Sequence, residues 1–145
     1  MLIDELKKIV GPAGWKTDKA ELQPYLSEWR DAVFGDTCIM LLPDNTAAVA
    51  AIVTACAAAG VGVVPQGGNT GLFGGAIPDA SGEQVLVNLS RMNKIREISA
   101  ADFSITVDAG CVLANIQEAA RAVDRLFPLS LGAEGSCEIG GNLST

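Results

Sequence analysis

Apolar residues recur along this chain at spacings that change from one segment to the next, and these spacings predict a succession of helices and strands. Between residues 2 and 10 they follow a helical period, and Gly11 offers a place for that helix to end. Residues 12–37 follow no clear period and are interpreted as a lead-in with at most one short helix. The apolar run 38–42 then predicts a first strand.

A strand, a helix and a second strand are predicted to open the core of the fold. Asn45 can cap a helix over residues 46–59, which Gly60 ends, and residues 61–64 form the next strand. Parallel strands need a crossover connection between them, and a helix is the usual one. This order of elements therefore predicts a parallel crossover.

The rest of the chain predicts three more strands and one more helix. The strands cover residues 85–89, 95–98 and 104–107, and a helix with one apolar face runs from residue 113 to about residue 124. The tail, residues 127–145, is interpreted as a long glycine-rich connection. The predicted fold class is α+β, with two small α/β subdomains: a parallel strand-helix-strand unit followed by a mixed sheet with a helix.

Length and composition support a packed domain or part of one. The chain has 145 residues, 49% of them hydrophobic, which suits either. We predict a helical lead-in over residues 1–33 and a main domain over residues 34–145.

Charge and cysteine content limit which partners and which cellular compartment are expected. The net charge of −7 opposes nucleic acid and anionic membrane surfaces as partners. A helix over residues 46–59 would rise about 21 Å, which is short of a bilayer core of about 30 Å, so no integral membrane segment is expected. The N-terminus lacks a secretory signal, and the four cysteines have no paired spacing. We therefore expect a cytoplasmic protein.

A cluster of glycines after the second predicted strand is the first candidate for chemistry. Seven of the 16 glycines lie between residues 60 and 75, so a turn and a close backbone approach to a ligand are both expected there. Successive backbone amides between Pro65 and Gly71 can bind an anion such as a diphosphate without lysine or arginine. The alternative is that this cluster is only a flexible surface turn.

Two common nucleotide-binding motifs do not match this glycine cluster. The dinucleotide fingerprint G-x-G-x-x-G is absent, and glycines and a proline after the loop oppose the helix that should follow it. The nucleoside triphosphate loop requires a Gly-Lys pair, which the sequence lacks.

Five ordered stretches together resemble one family, the flavoproteins with a vanillyl-alcohol-oxidase or PCMH-type FAD-binding domain, and within it the D-2-hydroxyglutarate and D-lactate dehydrogenases. The resemblance covers roughly residues 34–145 and implies a domain that is incomplete at its C-terminal end, which is expected to be marginally stable by itself. The stretches are Pro65-Gln-Gly-Gly-Asn-Thr-Gly71, Leu89-Ser-Arg-Met-Asn93, Ala109-Gly-Cys-Val-Leu113, Pro128-Leu-Ser-Leu-Gly-Ala-Glu-Gly-Ser136 and Ile139-Gly-Gly-Asn-Leu-Ser-Thr145. Five motifs in the expected order are far more specific than one glycine loop.

The resemblance implies which residues contact FAD. The loop would hold the diphosphate, residues of the tail would line the flavin and its ribityl chain, and residues near 92 would support that wall. The implied set is Pro65, Gln66, Gly67, Gly68, Asn69, Thr70, Gly71, Met92, Asn93, Pro128, Gly132, Ala133, Gly135, Ser136, Ile139, Gly140, Gly141 and Asn142. A Gly68→Val substitution is expected to abolish FAD retention.

The resemblance also implies a function. A D-2-hydroxy acid would lose a hydride from its Cα to flavin N5 and become a 2-oxo acid, with D-2-hydroxyglutarate favoured over D-lactate, and a separate electron acceptor would reoxidise the flavin. The chain has no histidine, so no histidyl-flavin bond is expected and FAD is predicted to bind noncovalently. No catalytic residue or metal ligand is assigned, and Glu134 and Glu138 are interpreted as solvated or helix-starting acids.

Two alternatives to this function stay open at this stage. The chain can belong to an FAD-dependent alcohol or sugar oxidase of the same domain type, although these often carry a histidine at the position of Asn69. It can also be a noncatalytic flavin- or nucleotide-binding module. A homo-oligomer is compatible with either possibility.

Overall fold

The helices and strands of this computed structural model, which describes residues 1–144, alternate along the chain. In order they are α1 (Leu2–Val10), β1 (Trp15–Lys16), α2 (Lys19–Leu22), a 3-10 turn (Gln23–Tyr25), β2 (Met40–Leu41), α3 (Thr46–Ala59), β3 (Val63–Gln66), β4 (Val85–Asn88), β5 (Ile95–Ser99), β6 (Ser104–Val107), α4 (Leu113–Ala122) and α5 (Ile139–Ser144). No helix within residues 1–144 is both long enough and apolar enough to cross a membrane.

The ends of α3 follow from two side chains that the sequence indicated. The Asn45 side chain accepts a hydrogen bond from the backbone amide of Ala48 at 2.8 Å, which caps the first turn. Gly60 ends the helix with φ 67° and ψ 26°, a left-handed conformation that costs glycine no steric strain. The predicted bounds of α3 are therefore confirmed.

Strands β1 to β4 form one four-stranded sheet in the order β1-β2-β4-β3. β2 and β3 both pair with β4 in parallel, so the strand-helix-strand unit is parallel as predicted, with β4 inserted between its two strands. β1 pairs antiparallel with β2 and makes the sheet mixed. β3 is two residues later than predicted and includes Pro65, which suits a strand at the edge of a sheet.

Both faces of this sheet are covered by apolar side chains, as expected for a mostly parallel sheet. On one face the buried residues are Leu6, Ile39, Leu41, Ile52, Cys56, Val85 and Val87. On the other they are Leu22, Met40, Val64 and Leu86. Alternate residues of β2 and β4 thus belong to opposite faces. Leu6 and Leu22 lie in the lead-in, so the first 33 residues pack into the same cores as the rest; the boundary at residue 33 stays a prediction.

The second part of the chain is a smaller layer. β5 and β6 form a two-stranded antiparallel sheet, and Cys111, Ile116 and Ile139 make a small core near α4. One prediction is wrong here: the tail is not a plain connection, because residues 139–144 form α5. Gly140 and Gly141 disguise this helix in the sequence, since glycine is a poor helix former.

Candidate functional site

The glycine-rich loop begins where β3 ends, at Gln66, and its backbone amides have no protein partner. Within residues 1–144, no backbone or side-chain acceptor takes a hydrogen bond from the amides of residues 67–71. The carbonyl side of the loop is anchored, because Asn88 donates to the carbonyl oxygen of Gly67 at 3.1 Å. The loop therefore presents a run of unpaired N–H donors, the arrangement that binds an anion.

The first two glycines of the loop pack directly against the tail. A Cβ on Gly68 would overlap the carbonyl oxygen of Ser136, and a Cβ on Gly67 would lie 3.0 Å from Glu138 Oε2. By contrast, a Cβ on Gly71 would meet no atom within 4 Å. The loop and the segment 136–138, far apart in sequence, are thus in contact because glycine leaves room for that contact.

Asn69 has a backbone conformation that is unusual for a residue with a side chain. Its φ is 52°, in the left-handed region that asparagine tolerates better than most residues. Its amide group donates to the carbonyl oxygen of Ser27 at 2.8 Å, which ties the loop to the lead-in. That bond fixes the orientation of the side chain and leaves Oδ1 as an acceptor.

Three buried side-chain oxygens have no hydrogen-bond partner among the described residues. One belongs to the glycine-rich loop, and two belong to the tail that packs against the loop. They are Asn69 Oδ1, Glu138 Oε2 and Asn142 Oδ1. Buried polar atoms in proteins are nearly always hydrogen-bonded, so this concentration points to a ligand that supplies partners, with donors needed for the two asparagine oxygens. The hydroxyl groups of a ribityl chain or a ribose are donors of that kind.

Backbone hydrogen bonds join three stretches that the sequence analysis singled out, around residues 92, 110 and 140. The amide of Gly110 donates to the carbonyl oxygen of Met92 at 2.8 Å, and the amide of Gly140 donates to that of Ala109 at 2.8 Å. A Cβ on Gly140 would lie 2.8 Å from the Cβ of Ala109. The structure therefore brings together the stretches around residues 92, 110 and 140 that the sequence analysis singled out.

Other predicted site residues are placed differently. The Gln66 side chain is buried and donates to the carbonyl oxygens of Tyr25 at 2.9 Å and Ala76 at 3.0 Å, so it holds the two ends of the loop region together. Asn93, Pro128 and Gly132 are exposed, and no hydrogen bond within residues 1–144 joins their side chains to the loop.

The remaining predicted residues surround the contact between loop and tail. The carbonyl oxygen of Ala133 accepts hydrogen bonds from the amides of Ser136 and Cys137, both at 2.8 Å, which shapes the tail before α5. Thr70 is half-buried and Ile139 is buried. Pro65, Gly135 and Gly141 are exposed.

Glu138 is the residue of this site that sequence reasoning missed. It does precede α5, as a helix-starting acid would, but it is not solvated: only 6% of the residue is exposed. Burial raises the pKa of the Glu138 carboxyl to about 7. The signal in the sequence was its position between Cys137 and Ile139, two apolar residues that are buried as well.

Two cavities elsewhere in the molecule do not include the glycine-rich loop. One of about 560 Å³ lies between α1 and residues 79–85, and one of about 340 Å³ lies between the β5–β6 sheet and the end of α4. In the part of the chain that the structure describes, no three acidic, cysteine or histidine side chains are grouped to hold a metal ion. The candidate site is therefore the surface formed by the loop and the tail.

Comparison with known families identifies the family of this chain. A family model described as an FAD binding domain matches residues 39–145, which include the glycine-rich loop and the whole tail. The chain belongs to this FAD-binding domain family. The unpaired amides of the loop and the orphaned oxygens of Asn69 and Asn142 fit the diphosphate and hydroxyl groups of FAD.

Curated proteins similar to this FAD-binding domain are dehydrogenases. The chain is 39% identical to a mitochondrial D-2-hydroxyglutarate dehydrogenase of Arabidopsis thaliana, over 99% of the chain and 25% of that protein. It is 39% identical to a D-2-hydroxyglutarate dehydrogenase of Xanthomonas citri pv. viticola, over 97% of the chain and 29% of that protein. It is 38% identical to a putative mitochondrial D-lactate dehydrogenase of Schizosaccharomyces pombe, over 99% and 26%. The chain thus spans about a quarter of these relatives.

Solved structures confirm the predicted fold. An alkyldihydroxyacetonephosphate synthase superposes with a TM-score of 0.88 at 21% identity, over 99% of this chain and 28% of that one. A p-cresol methylhydroxylase superposes with a TM-score of 0.75 at 20% identity, over 93% and 26%. The FAD-binding domain described here therefore has the PCMH-type α+β fold.

The expected cytoplasmic location is wrong. The relatives from Arabidopsis thaliana and Schizosaccharomyces pombe are named mitochondrial, as is one from Danio rerio. These names point to mitochondria rather than to the cytoplasm. Unpaired cysteines indicate a reducing compartment, and that indication does not distinguish the cytoplasm from other reducing compartments.

Proposed function

We propose that this chain is the FAD-binding portion of a flavin-dependent dehydrogenase that oxidises a D-2-hydroxy acid to the 2-oxo acid. D-2-hydroxyglutarate is the favoured substrate and D-lactate the next, because the similar curated proteins carry these two names. A separate electron acceptor would complete the turnover, and a homo-oligomer is compatible with the exposed surface. Since the chain spans about a quarter of those relatives, we expect the groups that bind substrate to correspond to the part of the relatives that it does not span.

The loop and the tail would share the work of holding FAD. The amides of residues 67–71 would donate to the diphosphate, and the oxygens of Asn69 and Asn142 would accept from hydroxyl groups of the cofactor. No lysine or arginine lies between Pro65 and Gly75, so the diphosphate would be bound by neutral donors. When bound, FAD supplies the hydride acceptor for the reaction, and this portion of the protein positions it noncovalently.

The observation that carries this proposal is the run of unpaired amides from Gly67 to Gly71. Titration of FAD into the chain, followed by flavin fluorescence, tests it. Gly71→Asp adds a carboxylate beside these amides without a steric clash and is expected to weaken FAD binding at least about tenfold. Gly75→Asp, whose Cβ is equally unobstructed, is the matched control and should retain wild-type affinity. Equal affinity of the two variants would remove the loop from the cofactor site.

The substrate is tested in a full-length protein that contains this sequence. Under anaerobic conditions, D-2-hydroxyglutarate should bleach the bound flavin faster than D-lactate does, and neither L isomer should bleach it. Bound flavin that is bleached by an alcohol or a sugar instead would favour the oxidase alternative. Bound flavin that none of these compounds reduces would favour a noncatalytic module.

A further inference from the structure

Glu138 lies in direct contact with the glycine-rich loop. Its Oε2 is 3.0 Å from the position that a Cβ on Gly67 would occupy, and that oxygen has no hydrogen-bond partner among the described residues. Residue 138 is held in place by a β-bridge to Val112, so it cannot easily move away from the loop. A buried carboxyl group therefore borders the amides that are proposed to bind a diphosphate.

Among the described residues, no lysine or arginine forms an ion pair with Glu138 that would offset an ionised carboxylate. The loop side, residues 65–72, has no titratable side chain. The turn before α4 contributes Asp108, which pairs with Arg96 at 2.6 Å, and Cys111. Burial is the largest cause that raises the pKa of the Cys111 thiol, and it outweighs a hydrogen bond to the Asp108 backbone that lowers this pKa, so the thiol stays neutral.

The segment that carries Glu138 adds one more acid and no base. Glu134 Oε2 accepts a hydrogen bond from the side chain of Gln117 at 3.1 Å, so it is already engaged on α4. When a diphosphate occupies the loop, an ionised Glu138 would thus be a buried, unpaired anion next to this diphosphate, which is unfavourable. The neutral acid avoids that repulsion and offers an O–H donor.

We propose that Glu138 belongs to the diphosphate site and that FAD binds the protein with Glu138 in its neutral, protonated form. This inference rests on the proposed FAD site at residues 67–71. When Glu138 is ionised in the free protein, binding takes up one proton from solvent, which adds to the carboxylate. Affinity for FAD is therefore coupled to pH through an acidic side chain, although side chains that bind phosphate are usually basic.

Burial sets the pH range in which the coupling operates. The pKa of Glu138 in the protein is raised to about 7, so the acid is mostly neutral below that pH and mostly ionised above it. A bound diphosphate raises this pKa further, because a neighbouring anion disfavours ionisation. Above about pH 7 the dissociation constant of FAD is expected to rise by up to about tenfold per pH unit.

The test compares FAD dissociation constants of the whole chain between about pH 6 and about pH 9. The wild type should lose affinity above about pH 7, whereas Glu138→Gln should show no such loss. Glu118→Gln is the matched control: it removes one negative charge from a side chain that is 81% exposed on α4, and it should keep the wild-type pH dependence. Any titration of FAD itself affects all three proteins equally and cancels.

A second measurement reports Glu138 directly. The infrared carbonyl band of a protonated carboxylic acid should be present in the wild type at about pH 6, fade at about pH 9 and return when FAD is added at about pH 8. Glu138→Gln should lack this FAD-dependent band, and circular dichroism establishes that the variant is folded. These changes would not arise from a purely structural role of the side chain.

The outcomes separate this inference from the function on which it rests. FAD binding with the same pH dependence in the wild type and in Glu138→Gln would overturn the role of Glu138 and leave the FAD site intact. A complete lack of FAD binding by both proteins at every pH would overturn both proposals. Both proposals would be supported if the wild type and Glu118→Gln lose FAD affinity as the pH rises and Glu138→Gln does not.

Discussion

The two halves of the glycine-rich segment both contain glycines, but these glycines have different structural roles. In the first half, Gly67 and Gly68 pack against the tail, and a side chain on Gly68 would overlap the backbone of Ser136. In the second half, Gly71 and Gly75 have no atom within 4 Å of the position of a Cβ, although a Cβ on Gly74 would lie 2.9 Å from the side chain of Val33. Glycine is required at the first pair of positions because the tail packs against them. At the second pair, the protein leaves room for a side chain.

This difference changes the explanation of an expectation from the sequence. Gly68→Val was predicted to block the approach of FAD to the backbone. The structure shows that the added side chain would meet the carbonyl oxygen of Ser136 first. Loss of FAD in such a variant would therefore report a disturbed contact between loop and tail, and the open position Gly71 is the better probe of the ligand.

The largest expected effect comes from Gly68→Ala. Because the new methyl group would overlap a backbone atom of a segment held by hydrogen bonds, we expect the free energy of unfolding to fall by about 3 kcal/mol or more. Urea denaturation measures it. Gly71→Ala is the control and should change stability by less than about 0.5 kcal/mol, since it meets no neighbour. Equal effects of the two substitutions would mean that the halves do not differ.

A pH-dependent effect of nearly the same size is expected from the acid that contacts the first half. The pKa of Glu138 is raised by burial from 4.5 to about 7, so the folded protein holds a proton that the unfolded chain releases in this range. The free energy of unfolding should therefore fall as pH rises from about 4.5 to about 7, by up to about 3 kcal/mol, and then level off.

Glu138→Gln should remove this dependence. The variant is expected to lose less stability than the wild type between about pH 4.5 and about pH 7, as measured by urea denaturation at several pH values. Glu118→Gln, which changes an exposed acid, should follow the wild-type curve. A wild-type slope that persists unchanged in Glu138→Gln would assign it to another group.

Asn69 lies at the boundary between the halves and is expected to have an intermediate effect. Asn69→Ala removes the hydrogen bond to Ser27 and places alanine at φ 52°, so stability should fall by about 2 kcal/mol in a thermal or urea unfolding experiment. Asn69→Gly removes the same bond but tolerates this φ, and should cost about 1 kcal/mol. If the two variants were equally stable, the backbone conformation would contribute nothing.

The sequence predicted those parts of the fold that depend on local patterns. Asn45 and Gly60 bound α3 as expected, and the apolar runs located β2, β4 and β6 to within a few residues. β1 was missed because a two-residue strand has no periodicity to detect. α5 was missed because its glycines oppose helix formation, which tertiary contacts with Ala109 and Cys111 override.

The candidate site was proposed from motifs. The loop was singled out by its glycines, and the tail by the family resemblance of its motifs. That the two touch each other at Gly68 and Ser136, and that Gln66 is engaged with Tyr25 and Ala76, depends on folding of distant segments. The burial of Glu138 is a property of the same kind, because exposure of a single acid between apolar residues is decided by tertiary packing.

The smallest effect is expected in the second half of the glycine-rich segment, at Phe73. Its side chain is 93% exposed, and its one cation–π contact among the described residues is with the guanidinium group of Arg30, 5.8 Å from the ring centre. An exposed cation–π contact at that distance contributes little, so Phe73→Ser should change the free energy of unfolding by less than about 0.5 kcal/mol. A larger loss in urea denaturation would show that the second half is packed like the first, and the contrast between Gly68 and Gly71 would then need another explanation.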